Sequence, residues 1–224
     1  MIPSPSFPCP RLPARSRRYG QADAKIFSAW LHNVAGDPEA SARDAELAIE
    51  IAAKDGFRDW LVAGHLHRAI ARGQLEPSPE SVRTLASGIE LWRSAGCECF
   101  VPYFFCGLAE AQRRCGDLDG AWGSLESALR VVQHTGETLH LAELHRLRGE
   151  VLHAQRPRSG LIELLAAVSV ARAQDAASFE LRARTSLTLR GGDAANLDAL
   201  RTLLRRFAHA PPGPDLEHAR SAAG

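Results

Sequence analysis

The sequence predicts an all-α fold, an α-solenoid of about four to five antiparallel helix pairs wound into a right-handed superhelix. Three observations carry this. From Tyr19 onward apolar residues recur at i, i+3, i+4 and i+7, the stripe of an amphipathic helix. Short corners built from Gly, Asp and Pro interrupt the stripe at regular intervals. The corner glycines Gly56, Gly96 and Gly136 stand 40 residues apart.

The elements follow in order. Residues 1–18 are rich in Pro, Ser and Arg and read as a disordered arm, with Arg15, Arg17 and Arg18 as solvated charge. Residues 19–209 read as the repeat domain, in units of about 19–56, 57–96, 97–136 and 137–176 with a degenerate fifth at 177–209. In the first unit Ile26, Phe27, Trp30, Leu31 and Val34 form the stripe of one helix, and Gly36-Asp37-Pro38 turns the chain into the next, Glu39–Lys54. The second unit has helices over Trp60–Arg72 and Glu80–Ser94, with Ser78 as N-cap of the latter. The third has Phe100–Arg114 and Leu118–His134 around Gly116-Asp117, and the fourth has Thr138–Ala154 and Gly160–Gln174. Phe179–Arg190 and Ala194–Ala208 form the fifth pair around a turn at 191–193, which is out of the 40-residue frame. Pro211-Pro212-Gly213-Pro214 breaks the chain, and residues 210–224 form a tail able to hold one short capping helix.

Small residues keep the same frame. Ala29, Ala69, Ala109 and Gly149 mark the first helices; Ser41, Ser81 and Ala121, then Ala48, Gly88 and Ala128, mark the second. Ala45, Leu85, Leu125 and Leu165 are the partner series, large except in the first unit. Helices joined by a short turn approach closely only where side chains are small, and each pair leaves an apolar face that the next one covers. The fourth unit deviates, because Leu161 stands where a small residue is expected.

Composition narrows the function. The chain of 224 residues has a net charge of +1, so no global field points to nucleic acid or an anionic membrane. No stretch is long and apolar enough to span a bilayer, and the start lacks the apolar run of a secretory signal. Five cysteines without that signal suit reduced thiols in a cytoplasmic protein. The motif Cys97-Glu98-Cys99 lacks the spacing of a structural zinc pair. His65 and His67, and His140 and His145, fall off the i, i+4 face that metal ligands use. No nucleophile–base set appears, so neither catalysis, cofactor nor metal is expected.

The inner face of the superhelix is the expected binding surface, lined by the first helix of each pair. The candidates are Trp30, Tyr103, Glu110, Arg113, Arg114, Glu143, Arg146, Glu150 and His153. Arg113, Arg114 and Arg146 suit acidic side chains or the terminal carboxylate of a bound peptide. The alternative is internal: Glu143 and Glu150 lie at i, i+3 and i, i+4 from Arg146 and would simply support their own helix.

Gly116-Asp117-Leu118 with Ala121, Leu125 and Ala128 resembles a tetratricopeptide repeat with lengthened helices. Several segments extend the likeness: Gly56-Phe57 with Trp60, Leu91-Trp92-Arg93-Ser94-Ala95-Gly96, and Pro102-Tyr103-Phe104 with Leu108-Ala109-Glu110-Ala111. Thr135-Gly136-Glu137 and Ala142–Glu150 complete the set. Together they are similar to the C-terminal repeat region of large bacterial signalling ATPases linked to adenylate/guanylate cyclase or transcriptional-regulator domains. The resemblance implies an interaction and regulatory module that docks a protein or peptide segment, including one from effector domains absent from this sequence. The family's phosphate-binding loop GxxxxGK[ST] is absent, so the chain reads as a truncated gene, a split product or a free adaptor. A second reading is a small-molecule sensor, as in related transcription activators that bind an inducer; a pocket lined by Trp30, Trp60 or Trp92 would be its mark.

Overall fold

The computed structural model describes residues 14–224, which form eleven α-helices and no strand. Five antiparallel pairs run α1 (Ala14–Ala35) with α2 (Pro38–Asp55), α3 (Arg58–Leu75) with α4 (Pro79–Ser94), and α5 (Val101–Arg114) with α6 (Leu118–Thr135). Then come α7 (Leu141–His153) with α8 (Pro157–Ala173) and α9 (Ala177–Leu189) with α10 (Ala194–Arg206), followed by α11 (Pro214–Ala223). The fold is all-α and solenoid-like, and each pair packs on the next. No helix among the described residues is long and apolar enough to cross a membrane.

The N-terminal boundary needs correcting. Ala14–Arg18, expected in the arm, belong to α1. Two contacts with the end of α2 and the corner leading into α3 hold them there: Arg18 Nε donates to Asp55 Oδ2 at 2.6 Å, and the Arg15 guanidinium lies over the Phe57 ring. The rest of the expected arm lies outside the described residues.

Local chemistry explains the corners. Asp37, Asp117 and Asp193 each cap a second helix by accepting the backbone N–H three residues on. Ser78 caps α4 in a reciprocal arrangement with Ser81. Gly56, Gly96 and Gly136 all take the left-handed conformation at the ends of second helices, which a glycine adopts without steric cost.

The fourth unit is regular after all, shifted by one residue. Leu165 is 56% exposed, while Leu164 is fully buried. Gly160 holds the place of Ser41, Ser81 and Ala121, Ala167 that of Ala48, Gly88 and Ala128, and Asp175, at φ +49°, the left-handed corner. The unit has lost one residue, and the small–large–small pattern survives as Gly160, Leu164, Ala167. The fifth pair repeats the spacing 36 residues later as Asn196, Leu200 and Leu203, all buried.

Helices α7 and α8 approach backbone to backbone. A Cβ on Gly149 would lie 2.7 Å from Leu164 Cγ, and one on Gly160 would lie 2.7 Å from His153 Cα and 2.8 Å from the Gly149 carbonyl oxygen. The array also curls back on itself. The last turns of α1 meet α5, α7 and α9: Val34 packs against Ala142 and Phe179, and the carbonyls of Asn33 and Val34 accept from Arg182.

The two kinds of helical glycine give opposite expectations. Gly160→Ala meets backbone atoms that cannot yield, so overpacking of about 1–3 kcal/mol outweighs a helix-propensity gain of about 1 kcal/mol. Gly123 in α6 has nothing within 4 Å of an added Cβ, so Gly123→Ala keeps the gain. Chemical denaturation is expected to give a lower midpoint for Gly160→Ala and a higher one for Gly123→Ala.

Candidate docking pocket

The inner face carries two zones. The first is an aromatic plug where α1 closes on later repeats. Trp30 Nε1 donates to His140 Nε2 at 3.1 Å, and Asn33 Nδ2 donates to the Tyr103 hydroxyl at 2.8 Å. The Tyr103 ring stacks tilted against His67 and His140, with centroids 5.4 and 4.9 Å away, and His140 meets Phe179 edge-on. Phe100, left-handed at φ +62°, is held by the rings of Phe27, Trp30, Tyr103 and Phe104. Its N–H donates to Glu137.

The plug forces both imidazoles to be neutral. His140 accepts from Trp30 through Nε2, so its proton sits on Nδ1, which is buried without a partner, as is His67 Nε2. Burial lowers His67 to about 3, with His140 adding to the effect, and lowers His140 to about 4, with Glu143 opposing. Burial also pushes the Tyr103 hydroxyl up.

The second zone is a concave pocket of about 820 Å³ at the other end of the inner helices, lined by five arginines and five carboxylates. The charges are mostly paired. Arg113 makes two hydrogen bonds to Glu110, both at 2.9 Å. Arg146 holds Glu143 the same way, at 2.7 and 2.9 Å. Arg190 donates twice to Glu150 Oε2. Arg114 donates to the carbonyls of Gly73 and Gln74. Arg182 reaches Asp215 Oδ2 at 2.5 Å and the Val34 carbonyl at 2.8 Å, with Glu143 4.0 Å away.

The electrostatics follow from this pairing. Burial alone would raise the Glu143 carboxyl, but Arg146, with Arg182 and His140 nearby, outweighs it and holds the group at about 2. Burial would lower Arg146 and Arg182; their carboxylate partners raise both instead. Arg113 is raised by its hydrogen bond to Glu110. Glu150 is lowered, because Arg190, Ser186 and Arg146 outweigh its burial.

Of the residues expected on the inner face, Glu110, Arg113, Arg114, Glu143, Arg146 and Glu150 line this pocket together. Trp30 and Tyr103 lie in the plug instead, engaged by His140 and Asn33. His153 sits half-buried at the end of α7 against Gly160, its Nδ1 without a partner. No tryptophan lines the pocket: Trp30 and Trp92 hydrogen-bond to His140 and to the Cys99 carbonyl, and Trp60 packs against Tyr19.

The structure adds Arg182, Ser186 and Arg190 from α9 and its C-cap, Asp215 and His218 from α11, and Gly36, Pro38 and Glu39 from the α1–α2 corner. The 40-residue frame already held part of this. Arg146 contacts Ser186, and Glu150 pairs with Arg190, each 40 residues apart. The arrangement pairs guanidinium groups with carboxylates; among the described residues no group of three or more His, Cys, Asp or Glu is placed to hold a metal. No protein-family model matches the chain, and no curated protein matches it either.

Two expectations follow. His67 and His140 have folded-state pKa values of about 3 and about 4, below the ordinary histidine value of 6.5. The unfolded chain therefore binds more protons in that interval, and stability is full above pH 6.5 and falls as pH drops toward 4, by about 1.4 kcal/mol per unit for each histidine. His140→Gln, which keeps an acceptor for Trp30, is expected to halve that slope in denaturation curves taken between pH 6.5 and 4; an unchanged slope contradicts the assignment.

Separately, Arg146→Ala leaves Glu143 buried beside the more distant Arg182. It is expected to destabilise toward the lower end of the roughly 3–5 kcal/mol typical of a broken buried pair. Arg190→Ala removes a side chain 41% exposed and leaves Ser186 and Arg146 beside the buried Glu150, so it is expected to cost less than Arg146→Ala. Urea midpoints of the two variants check the ranking.

Proposed function

We propose that the chain is a protein-interaction and regulatory module that docks a short segment of a partner, or of effector domains, in the concave pocket. The observation that carries this is the convergence of charged side chains from three successive inner helices and α11 on one cavity. Arg113 and Arg190 use Nε and Nη2 internally, which leaves an Nη1 group on each to donate to an incoming carboxylate. The resemblance of Pro102–Ala111 and Ala142–Glu150 to the repeat region of signalling ATPases supports a regulatory setting.

The outline of the pocket favours a short segment. The α1–α2 corner and α11 bound it, so a long helix has no open groove to lie in. Its volume also falls in the range of small-molecule sites, about 300–1,000 Å³, which keeps an inducer-sensing reading in view although no tryptophan lines it.

Arg146 is unsuitable for testing this, because it holds Glu143. An Arg113→Ala/Arg190→Ala double variant, checked for native helix content by circular dichroism, is expected to lose captured partners at least tenfold in quantitative affinity purification. Arg130→Ala, on α6 outside the pocket, is expected to keep them. Equal capture by both variants overturns the choice of pocket. A metabolite panel that raises the melting temperature of the wild type but not of the double variant would favour the sensor.

A further inference from the structure

Helix α11 joins the rest of the molecule in an unusual way. Leu216, Ala219 and Ala223 bury a narrow apolar stripe against Leu181, Leu200 and Leu203 of α9 and α10. Arg201 donates to the Ala223 carbonyl at the far end. At the near end, Pro214, Asp215 and His218 face the pocket, not the apolar stripe. Asp215 reaches into it and takes the Arg182 guanidinium at 2.5 Å.

The site that receives Asp215 is built for a carboxylate. Arg182 is fixed from other sides by the carbonyls of Asn33 and Val34 at the end of α1, and Glu143 of α7 lies 4.0 Å away. The α1–α2 corner leaves room for the acid: a Cβ on Gly36 would lie 2.8 Å from Asp215 Oδ2. The segment 207–213, Phe-Ala-His-Ala-Pro-Pro-Gly, tethers the helix without regular structure of its own. Proline and glycine there keep the tether from continuing α10 into α11.

We infer that α11 is a tethered lid whose Asp215 occupies, from within the chain, the place that an acidic side chain of a docked partner segment takes at Arg182. This rests on the pocket being a docking site, as proposed above. The exchange conserves charge: one carboxylate leaves Arg182 and another arrives, so the guanidinium has a close counter-ion in both the closed and the docked state. The tether sets the strength of the inhibition. The connection is only seven residues long, with Phe207 and Ala210 packed on the α9–α11 cluster, and such a short tether holds Asp215 at an effective concentration on the order of millimolar or above, so a lone carboxylate competes poorly. A segment that also engages the free donors of Arg113 and Arg190 displaces the lid.

The probe is the lid itself, a labelled synthetic peptide of residues 213–224 in two forms, native and with Asp215→Asn. The protein is the full chain, wild type and Asp215→Asn. Amides of α11 in the variant are expected to exchange at least tenfold faster with deuterium, while those of α7 and α9 stay protected. The variant is expected to bind the native peptide at least tenfold more tightly than the amide form. If the variant does not fold, the wild type serves: excess native peptide is expected to speed exchange in α11, and the amide form to leave it unchanged.

Unchanged α11 exchange, or α9 and α10 exchanging along with it, overturns the lid and makes α11 a cap on the fifth pair. Equal binding of the two peptides overturns the carboxylate site. If the lid behaves as expected but the Arg113→Ala/Arg190→Ala variant keeps its captured partners, the internal contact stands and the partner-docking reading falls.

Discussion

The guanidinium of Arg182 ties together four helices of the fold. It joins α9 to α11 through Asp215, to the end of α1 through two carbonyl oxygens, and approaches α7 at Glu143. A helix array normally has two free ends. Here the first repeat bends onto the fourth and fifth, and the contact is polar and buried, so its cost is offset only if each member is satisfied. The aromatic plug supplies the apolar half of the same closure, with Trp30 of α1 bonded to His140 at the start of α7. The pocket exists because of this closure: without it the inner face would be an open groove.

The frame beneath it is a matter of volume. Small residues on one helix receive large ones from the next, as Gly149 receives Leu164 and Gly88 receives Leu66. That complementarity tolerates lost residues in the connections provided the i, i+4, i+7 set stays together. The fourth unit shows this, keeping Gly160, Leu164 and Ala167 after losing one residue, and the fifth keeps Asn196, Leu200 and Leu203 after losing more.

Most of this frame was legible, because the spacing of glycines and alanines reports helix contacts directly. The one-residue slip was not. In Leu161-Ile162-Glu163-Leu164-Leu165 adjacent leucines satisfy the same periodicity, and the corner that would have settled it is Asp175, not a glycine. The charged wall of the pocket was legible as well, since Glu110, Arg113, Glu143, Arg146 and Glu150 recur on one face of successive inner helices. The closure was not. It depends on the pitch accumulated over several repeats, which brings together groups 70 to 149 residues apart. Trp30 and Tyr103 have the composition of a binding surface and are instead turned inward against His140 and Asn33. Only the final curvature distinguishes those outcomes.

The central claim, that the first repeat closes on the fourth, is tested most directly at Trp30 and His140. An N–H···N hydrogen bond transmits a scalar coupling between its two nitrogens. In 15N-labelled protein at pH 7 the account predicts a resolved coupling between Trp30 Nε1 and His140 Nε2, absent in His140→Gln. A Trp30 indole proton that exchanges freely with water and shows no coupling to any histidine nitrogen would contradict the closure.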